Sequence, residues 1–409
     1  MAGTRKGGYI GGFDQLRAPN APTAVAVDSQ GNAQVGISFT SPQNVGSGTI
    51  SNFHVTALAA NETIGASGTS SPVTVTGLTN GTEYTFSVIA DSKFGSSSPS
   101  GTVTGTPTLA SPYALHALGS CGGAVNNVER ITVASTGDAT DFGDLSSARY
   151  GFSTSASDAT RFVVTGGISI TNTMEYFTYS SAGNYTDFGN LSANSKQGSN
   201  GQVGNATRGV IHLGANSSNT ALNTLEYITV QTTGNTTDFG DLTTARRLGA
   251  VSGNSTRGIF FAGQSSNVID YITIASTGNA TDFGDASHSV DNGQSAGGVA
   301  SSTRAVFMEG DQSNARFVYV TIDSTGNATD FGVPIFGSGE NKARGASGAC
   351  NTTRGVFFAG DNITSNRIQY ITIASTGNGT TFGDLDYNSG VYAYYGTAGS
   401  GGAAGAIGS

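Results

Sequence analysis

The sequence predicts an all-β protein in which an N-terminal sandwich precedes a longer region of repeated four-stranded units. Three observations carry this. The 409 residues include 61 Gly and only 11% charged residues, and a chain rich in Gly, Ser, Thr, Asn and β-branched residues favours strands joined by tight turns. Apolar and polar residues alternate with period two through residues 19–108, in short runs bounded by turn residues. From Tyr113 onward one motif returns six times, clearest as "ASTGNATDFGD" at 275–285, with its aromatic at Phe142, Phe188, Phe239, Phe283, Phe331 and Phe382. Intervals of 44–51 residues are those of a repeat architecture.

Composition excludes several classes of function. The net charge of −9 leaves no basic surface to neutralise phosphates, so nucleic acid is not an expected partner. No stretch reaches the roughly 20 apolar residues of a membrane span, so no membrane insertion is expected. The opening "MAGTRKGGYIGGFDQL" has no apolar core of the signal-peptide kind, which predicts a chain that stays off the standard export route. The N-x-T sequons, such as Asn279-Ala280-Thr281, are then incidental. Cys121 and Cys350 are too few for a disulfide framework, and buried thiols are the expectation, with a bond between them left open.

Residues 1–18 read as a Gly-rich arm that cannot bury a core of its own. Tyr9, Ile10, Phe13 and Leu16 would anchor it in a partner surface. Residues 19–108 hold the runs "TAVAVDS", "AQVGISFTSP", "ISNFHVTALAA", "SPVTVTGL", "TEYTFSVIADS" and "GTVTGTP", each a predicted strand. The entry "APNAPTAVAV" and the later "GLTNGTEYTFSVIADSKFGSSSPS" resemble a fibronectin type III domain. The resemblance implies a β-sandwich with Phe39 in place of the usual tryptophan, Leu78 before a turn, and Tyr84 bonding back to the backbone as a tyrosine corner. It implies a spacer or recognition role and no chemistry. Residues 109–112 read as a linker, 113–398 as the repeats and 399–409 as a Gly-rich tail.

The repeat at 243–286 sets the pattern. "TTARRLGAVSG" is a predicted first strand, "IFFAG" a second, apolar on both faces, "VIDYITIAS" a third, and "TDFGDA" a short fourth after the turn "TGNA". Four antiparallel strands per unit make a propeller blade. The Arg in "TTARRLG", the Gly ending "RGIFFAG", the aromatic of "DYITI" and that of "TDFGD" resemble a divergent kelch propeller. The family's paired Gly survives only as Gly166-Gly167, and Phe stands where it has Trp. Six fourth strands and an orphan strand in "DYNSGVYAYYGTAGSGG" predict six blades, the last strand completing the first blade and removing an exposed edge.

The repeated charges admit a functional and a structural reading. Asp141 with Asp144, Asp238 with Asp241, or Asp282 with Asp285 could hold a metal or act as an acid pair. Calcium, however, needs six to eight converging oxygens. The carboxylates also drift to Asn190, Val333 and Thr381 while the turn and Phe persist. The structural reading is preferred: "TGNA" supplies Gly and Asn with positive φ, the Phe packs between blades, and the Asp side chains accept local backbone N–H groups. Arg161, Arg208, Arg257, Arg304 and Arg354 each follow Thr; pairing with a neighbouring blade's Asp or carbonyl oxygens is preferred to an anion-binding ring. His54, His116, His212 and His288 lack zinc-ligand spacing, and His116 and His212 are expected to pack in second strands. Glu175 and Glu226 sit beside Tyr176 and Tyr227 at one repeat position, unlike an acid–base pair. No catalytic residue, metal or cofactor is therefore expected.

Repeats such as "YITIASTGNATDFGDL" resemble those in structural proteins of tailed bacteriophages. The resemblance implies a virion protein, assembled in the host cytoplasm, with its arm and sandwich docked on other virion proteins and its propeller displayed. A nearly uncharged Ser, Thr and Asn surface suits a host-surface glycan or protein receptor. A tail fibre or tail tip is the first placement, a capsid-surface fibre or decoration the alternative, and several copies per particle or a homo-oligomer is expected. A polysaccharide-degrading propeller and a bacterial adhesin are the rival readings.

Overall fold

The computed structural model describes residues 16–31, 33–60, 62–107, 111–117, 120–121, 124–149, 151, 153–167, 171–286, 297–309, 315–335, 346–358, 366–386, 393–394 and 397–400. All regular structure among them is strand, so the chain is all-β. It divides into two compact units, residues 1–108 and 109–409.

The first unit is a sandwich of two antiparallel sheets. One joins Thr23–Gly31, Gln34–Thr40 and Val73–Thr76. The other joins Glu62–Gly68, Ile50–Ala59, Tyr84–Ser92 and Gly95–Ser96, with Val103–Gly105 also on Tyr84–Ser92. Side chains alternate between core and solvent along Tyr84–Ser92 because the strand period is two. The inward set, including Val35, Ile37, Phe53, Val55, Phe86 and Val88, forms one core. The sequence reading missed the strand Glu62–Gly68. Its "ETIGASG" carries two Gly and no large apolar run, and it is held at a sheet edge by its ladder with Phe53–Ala59.

The second unit contains six successive repeats of second, third and fourth strands. The second strands are Tyr113–Ala117, Arg161–Thr165, Arg208–His212, Arg257–Gly263, Arg304–Glu309 and Arg354–Phe358. Each pairs antiparallel with the third strand of its repeat, and that with the fourth. Ahead of the second strands stand short first strands, Thr154–Ser157, Asn200–Gln202, Ala250–Gly253, Gly298–Ala300 and Ser347–Cys350. In the first repeat that position is taken by Thr397–Ser400, paired with Tyr113–Ala117.

Two expectations need correction. "TTARRLGAVSG" is not one strand. Thr243–Arg246 continues the fourth strand of the preceding repeat, and Ala250–Gly253 begins the next. Between them Leu248 takes φ 59° and breaks the extended run. Nor are all first strands antiparallel partners within their own repeat. Asn200–Gln202 pairs in parallel with Thr154–Ser157 and Ala250–Gly253. Gly201, at φ 125°, lets these backbones approach: a Cβ there would lie 2.3 Å from the Val251 carbonyl.

The core lies between repeats. Phe283 packs with Phe307, Val318, Val320 and Ile322 of the following repeat. Phe142, Phe188, Phe239 and Phe331 do likewise, and Phe382 of the sixth repeat packs with Ala114, Ile131 and Val133 of the first. Backbone bonds follow the same seams. The N–H of Gly183, Gly234, Gly278, Gly326 and Gly377 donates to the carbonyl of the preceding repeat's motif Phe, and that of Gly137 to Phe382, at 2.7–2.9 Å. The turn thereby presses on the Gly after the Phe. A Cβ at Gly143, Gly189, Gly240, Gly284, Gly332 or Gly383 would stand 2.0–2.5 Å from the carbonyl oxygen of the facing turn Gly.

Gly284→Ala should therefore cost roughly 1–3 kcal/mol, the usual range for overpacking a tight contact. Gly326→Ala, where a Cβ meets nothing within 4 Å, should cost well under half as much. Urea unfolding of both variants checks the pair; equal losses would refute the close-approach explanation.

Candidate functional site

The motif loops are the most repeated chemistry in the chain, and they are built as seams. In each, the turn Asn bonds through its side-chain amide. Oδ1 of Asn184, Asn235, Asn279, Asn327 and Asn378 accepts the N–H of Asp144, Asn190, Asp241, Asp285 and Val333, and Asp138 accepts that of Asp384, at 3.0–3.2 Å. The carbonyl of that same residue accepts the N–H one position beyond the turn Asn or Asp, as in Ala280 to Asp241 at 2.8 Å. The residue after the motif Gly thus contributes only its backbone. This is why Asp, Asn and Val are all accommodated there.

Two details of the sequence reading are corrected by this. The Asp side chains are not the acceptors of the loop; the neighbouring repeat's Asn is, and Asp141, Asp238, Asp282 and Asp285 lie exposed. The turn Asn residues are not among the residues of positive φ; their value is the amide. Among the described residues no group of three or more His, Cys, Asp or Glu is placed to hold a metal.

The five arginines sit at the start of second strands. Nη1 of Arg161, Arg208, Arg257, Arg304 and Arg354 donates to the carbonyls of Val230, Ile274, Ile322, Ile373 and Val133 in the next repeat, at 2.7–3.3 Å. Each guanidinium lies over the third-strand Tyr of its own repeat, 4.2–4.6 Å from the ring centre, a favourable cation–π geometry. The first repeat exchanges the two. Tyr113 occupies the Arg position and Arg130 the Tyr position, and they stack at 4.5 Å. A short polar cap precedes each Arg: Asp158, Asn205, Asn254, Ser301 or Asn351 accepts the Arg N–H. These caps were not anticipated, although the recurring "N-x-T-R" carries their signature.

Glu175 and Glu226 belong to a third-strand position that also reads Glu129, Asp270 and Gln369. Each accepts a backbone N–H from the repeat before it, from Ser146, Ser192, Asp386, Thr243 and Ile335 respectively, at 2.8–3.3 Å. Val318 stands there in the fifth repeat. Two of these acids are fully buried and paired: Glu175 with Arg149 at 2.6 Å and Asp270 with Arg246 at 2.8 Å. Burial lowers the pKa of both arginines, opposed by the facing carboxylate. Among the described residues no cation pairs with Glu129. Burial, with Asp386 and Asp141 nearby, pushes its pKa up to about 7. Across the ladder from it His116 is buried against Phe358, which lowers its pKa to about 4; His212, also buried, falls to about 4 as well.

The remaining candidates disperse. Leu16 is exposed, and Tyr9, Ile10, Phe13 and His288 lie outside the described residues. So does the side chain of Cys121, while the buried Cys350 thiol donates to the Ala300 carbonyl at 3.3 Å. His54 bridges Asp91 and Ser67 on an open sheet face.

Comparison with known proteins bears on the first unit. A family model for the fibronectin type III domain matches residues 20–106. Residues 20–106 are a fibronectin type III domain. Among solved structures, the chain is similar to domains A168–A170 of titin, at 29% identity over 23% of this chain and 33% of that one, with a TM-score of 0.22. It is also similar to the twitchin kinase region of C. elegans, at 21% identity over 22% and 17% and a TM-score of 0.21. The match thus spans a third or less of either chain. No curated protein matches.

Fibronectin type III domains are typically non-catalytic. In this one, Tyr84 is buried and its hydroxyl accepts the Thr79 N–H at 3.0 Å while donating to Glu62. Leu78 is buried beneath the turn, and Phe39 packs on Phe53 at 4.7 Å between ring centres.

Asn279→Ala should cost about 1 kcal/mol, the usual worth of one hydrogen bond, whereas Asp285→Ala should stay within about 0.5 kcal/mol as an ordinary surface change. Thermal unfolding of the two variants distinguishes amide from carboxylate. A second expectation concerns pH. Folded Glu129 keeps, between about pH 4.5 and 7, a proton that the unfolded chain releases, so its contribution to stability falls as pH rises through that window. Glu129→Gln should therefore gain on wild type by on the order of 3 kcal/mol between pH 4.5 and 8. Urea unfolding along a pH series measures this, and a pH-independent difference would contradict it.

Proposed function

We propose that the repeat unit is a six-bladed, kelch-like β-propeller whose first blade takes its inner strand from the C-terminus. We further propose that the chain is a non-enzymatic virion structural protein displaying that propeller to a host surface. The observation that carries the architecture is the sixth seam. The bonds and packing that join each repeat to the next also join Phe382, Asp384 and Arg354 to Gly137, Asp138 and Val133 of the first.

The functional reading rests on how the recurring polar groups are used. Arginines, third-strand acids and turn amides hold seams together. What they leave outward is dominated by Ser, Thr and Asn, a surface suited to hydrogen-bonding glycan or protein receptors. The fibronectin type III domain supplies a compact module of the kind that spaces or docks a binding domain. Tail fibre or tail tip is the placement proposed, with residues 1–18 and the sandwich contacting neighbouring virion proteins.

Mass spectrometry and reconstruction of purified particles test this. The expected result is the chain in the particle, its N-terminal residues against a neighbour and its repeats outermost; loss of residues 1–18 should reduce incorporation severalfold. Density on the capsid instead of the tail would make it a capsid fibre. Absence from particles, or repeats covered by neighbours, would overturn the display role and turn attention to glycan cleavage by the isolated repeats.

A further inference from the structure

Two crevices of the same build lie at successive seams. The first, of about 210 Å³, is lined by Tyr319, Thr321, Ser324, Thr325 and Thr329, with Phe283 of the preceding repeat at its back. The second, of about 180 Å³, is lined by Tyr370, Thr372, Ser375, Thr376 and Thr380, with Phe331 behind. The two linings agree at every position but one, where Val320 is matched by Ile371. The seam does not require this agreement, because the turns dock through backbone groups, Gly326 and Gly377, and the amides of Asn327 and Asn378. The hydroxyls of Thr321, Ser324, Thr325 and Thr329 take no part in that docking and are exposed. The same is true of Thr372, Ser375, Thr376 and Thr380.

We infer that these crevices are saccharide subsites, each taking one sugar ring of a longer glycan. This rests on the proposed display role and names the site through which it acts. Four hydroxyls around one half-buried Tyr offer many donors and acceptors and one amphipathic ring; no charged residue lines the crevice itself, and the Arg304 or Arg354 guanidinium stacked on that ring is spent on the seam carbonyls. That matches a neutral polyol better than an ion or an apolar ligand. The volume is below the roughly 300 Å³ at which pockets enclose a drug-sized ligand, so each crevice holds one ring and leaves the polymer outside. Binding at one crevice is weak. Two on one molecule, and more on a particle with several copies, convert weak contacts into avidity.

The test uses the full chain labelled with ¹³C at Thr methyls, titrated with methyl glycosides of glucose, galactose, mannose, rhamnose and N-acetylglucosamine. At least one sugar should shift the methyl signals of Thr321, Thr325, Thr372 and Thr376 saturably, leaving the buried Thr154 and Thr165 unmoved. Ser324→Trp should abolish the shifts at Thr321 and Thr325 and retain those at Thr372 and Thr376. Should that variant misfold, Thr325→Val keeps the shape and should weaken binding at its own seam severalfold. Saturable shifts confined to other residues would overturn the crevices as subsites while leaving glycan display standing. No shift with any sugar would overturn the inference too, and a protein receptor would then be sought with the particle.

Discussion

Everything in the repeat unit depends on one contact: a turn of one repeat laid across the Phe-Gly of the repeat before it. The turn donates a backbone N–H to the Phe carbonyl, its amide takes the next N–H, and its Gly oxygen sits where a side chain on the facing Gly would be. An outer strand would otherwise expose unpaired backbone groups, which are costly when buried and adhesive when exposed. Here the neighbour satisfies them. The motif Phe, carried into the next repeat's core by the same contact, adds the apolar burial that hydrogen bonds alone do not supply.

This contact explains which positions are free to change. Where a bond is made by backbone, the side chain drifts, as at Asp285, Asn190 and Val333. Where a ring or a missing Cβ is needed, identity persists, as at Phe283 and Gly284; where a side-chain oxygen is needed, Asn327 and its equivalents give way only to Asp138. The Arg–Tyr stack follows the same logic in another form. Tyr113 and Arg130 exchange positions and keep the stack, because a cation over a ring does not depend on which strand supplies which partner. The third-strand acids vary between Glu, Asp, Gln and Val, but two of them are tied to a buried partner. Arg149 and Arg246 bury a full charge beside theirs, an arrangement whose disruption leaves a stranded ion and costs several kcal/mol.

Much of the fold was legible because its signals are local or repeated. Alternation in "TEYTFSVIADS" marks a strand, the offset of Tyr84 from Leu78 marks a corner, and six copies of one motif mark six units. What escaped depends on partners distant in sequence. The edge strand Glu62–Gly68 is held by its ladder and not by its own composition. The end of the fourth strand at Arg246 is set by the left-handed Leu248, a conformation no propensity for Leu predicts. The amide role of Asn279 was hidden because Asn in a turn is ordinarily credited with its backbone tolerance, whereas the N–H it accepts here, that of Asp241, lies 38 residues away. For the same reason Glu129 could not be told from Glu175 by sequence neighbours alone; what separates them is a cation that one seam has and the other lacks.

That difference returns to the seam between the sixth repeat and the first. In a linear array each interior repeat has two neighbours and the terminal ones have one, so the ends are the weakest units and need caps. Here the first and sixth repeats share a seam with the same turn contact as the others, and the C-terminal strand pairs within the first sheet. The terminal repeats therefore gain a second interface instead of a cap. At this seam the Glu129 carboxyl is buried without the arginine that Glu175 and Asp270 have, as is that of Glu226 at an interior seam, where the Ser192 and Thr236 hydroxyls donate to it instead. The unit is thus held at the sixth seam by the same turn contact as at the other five. Its outward hydroxyls, which no seam requires, remain available at every position between.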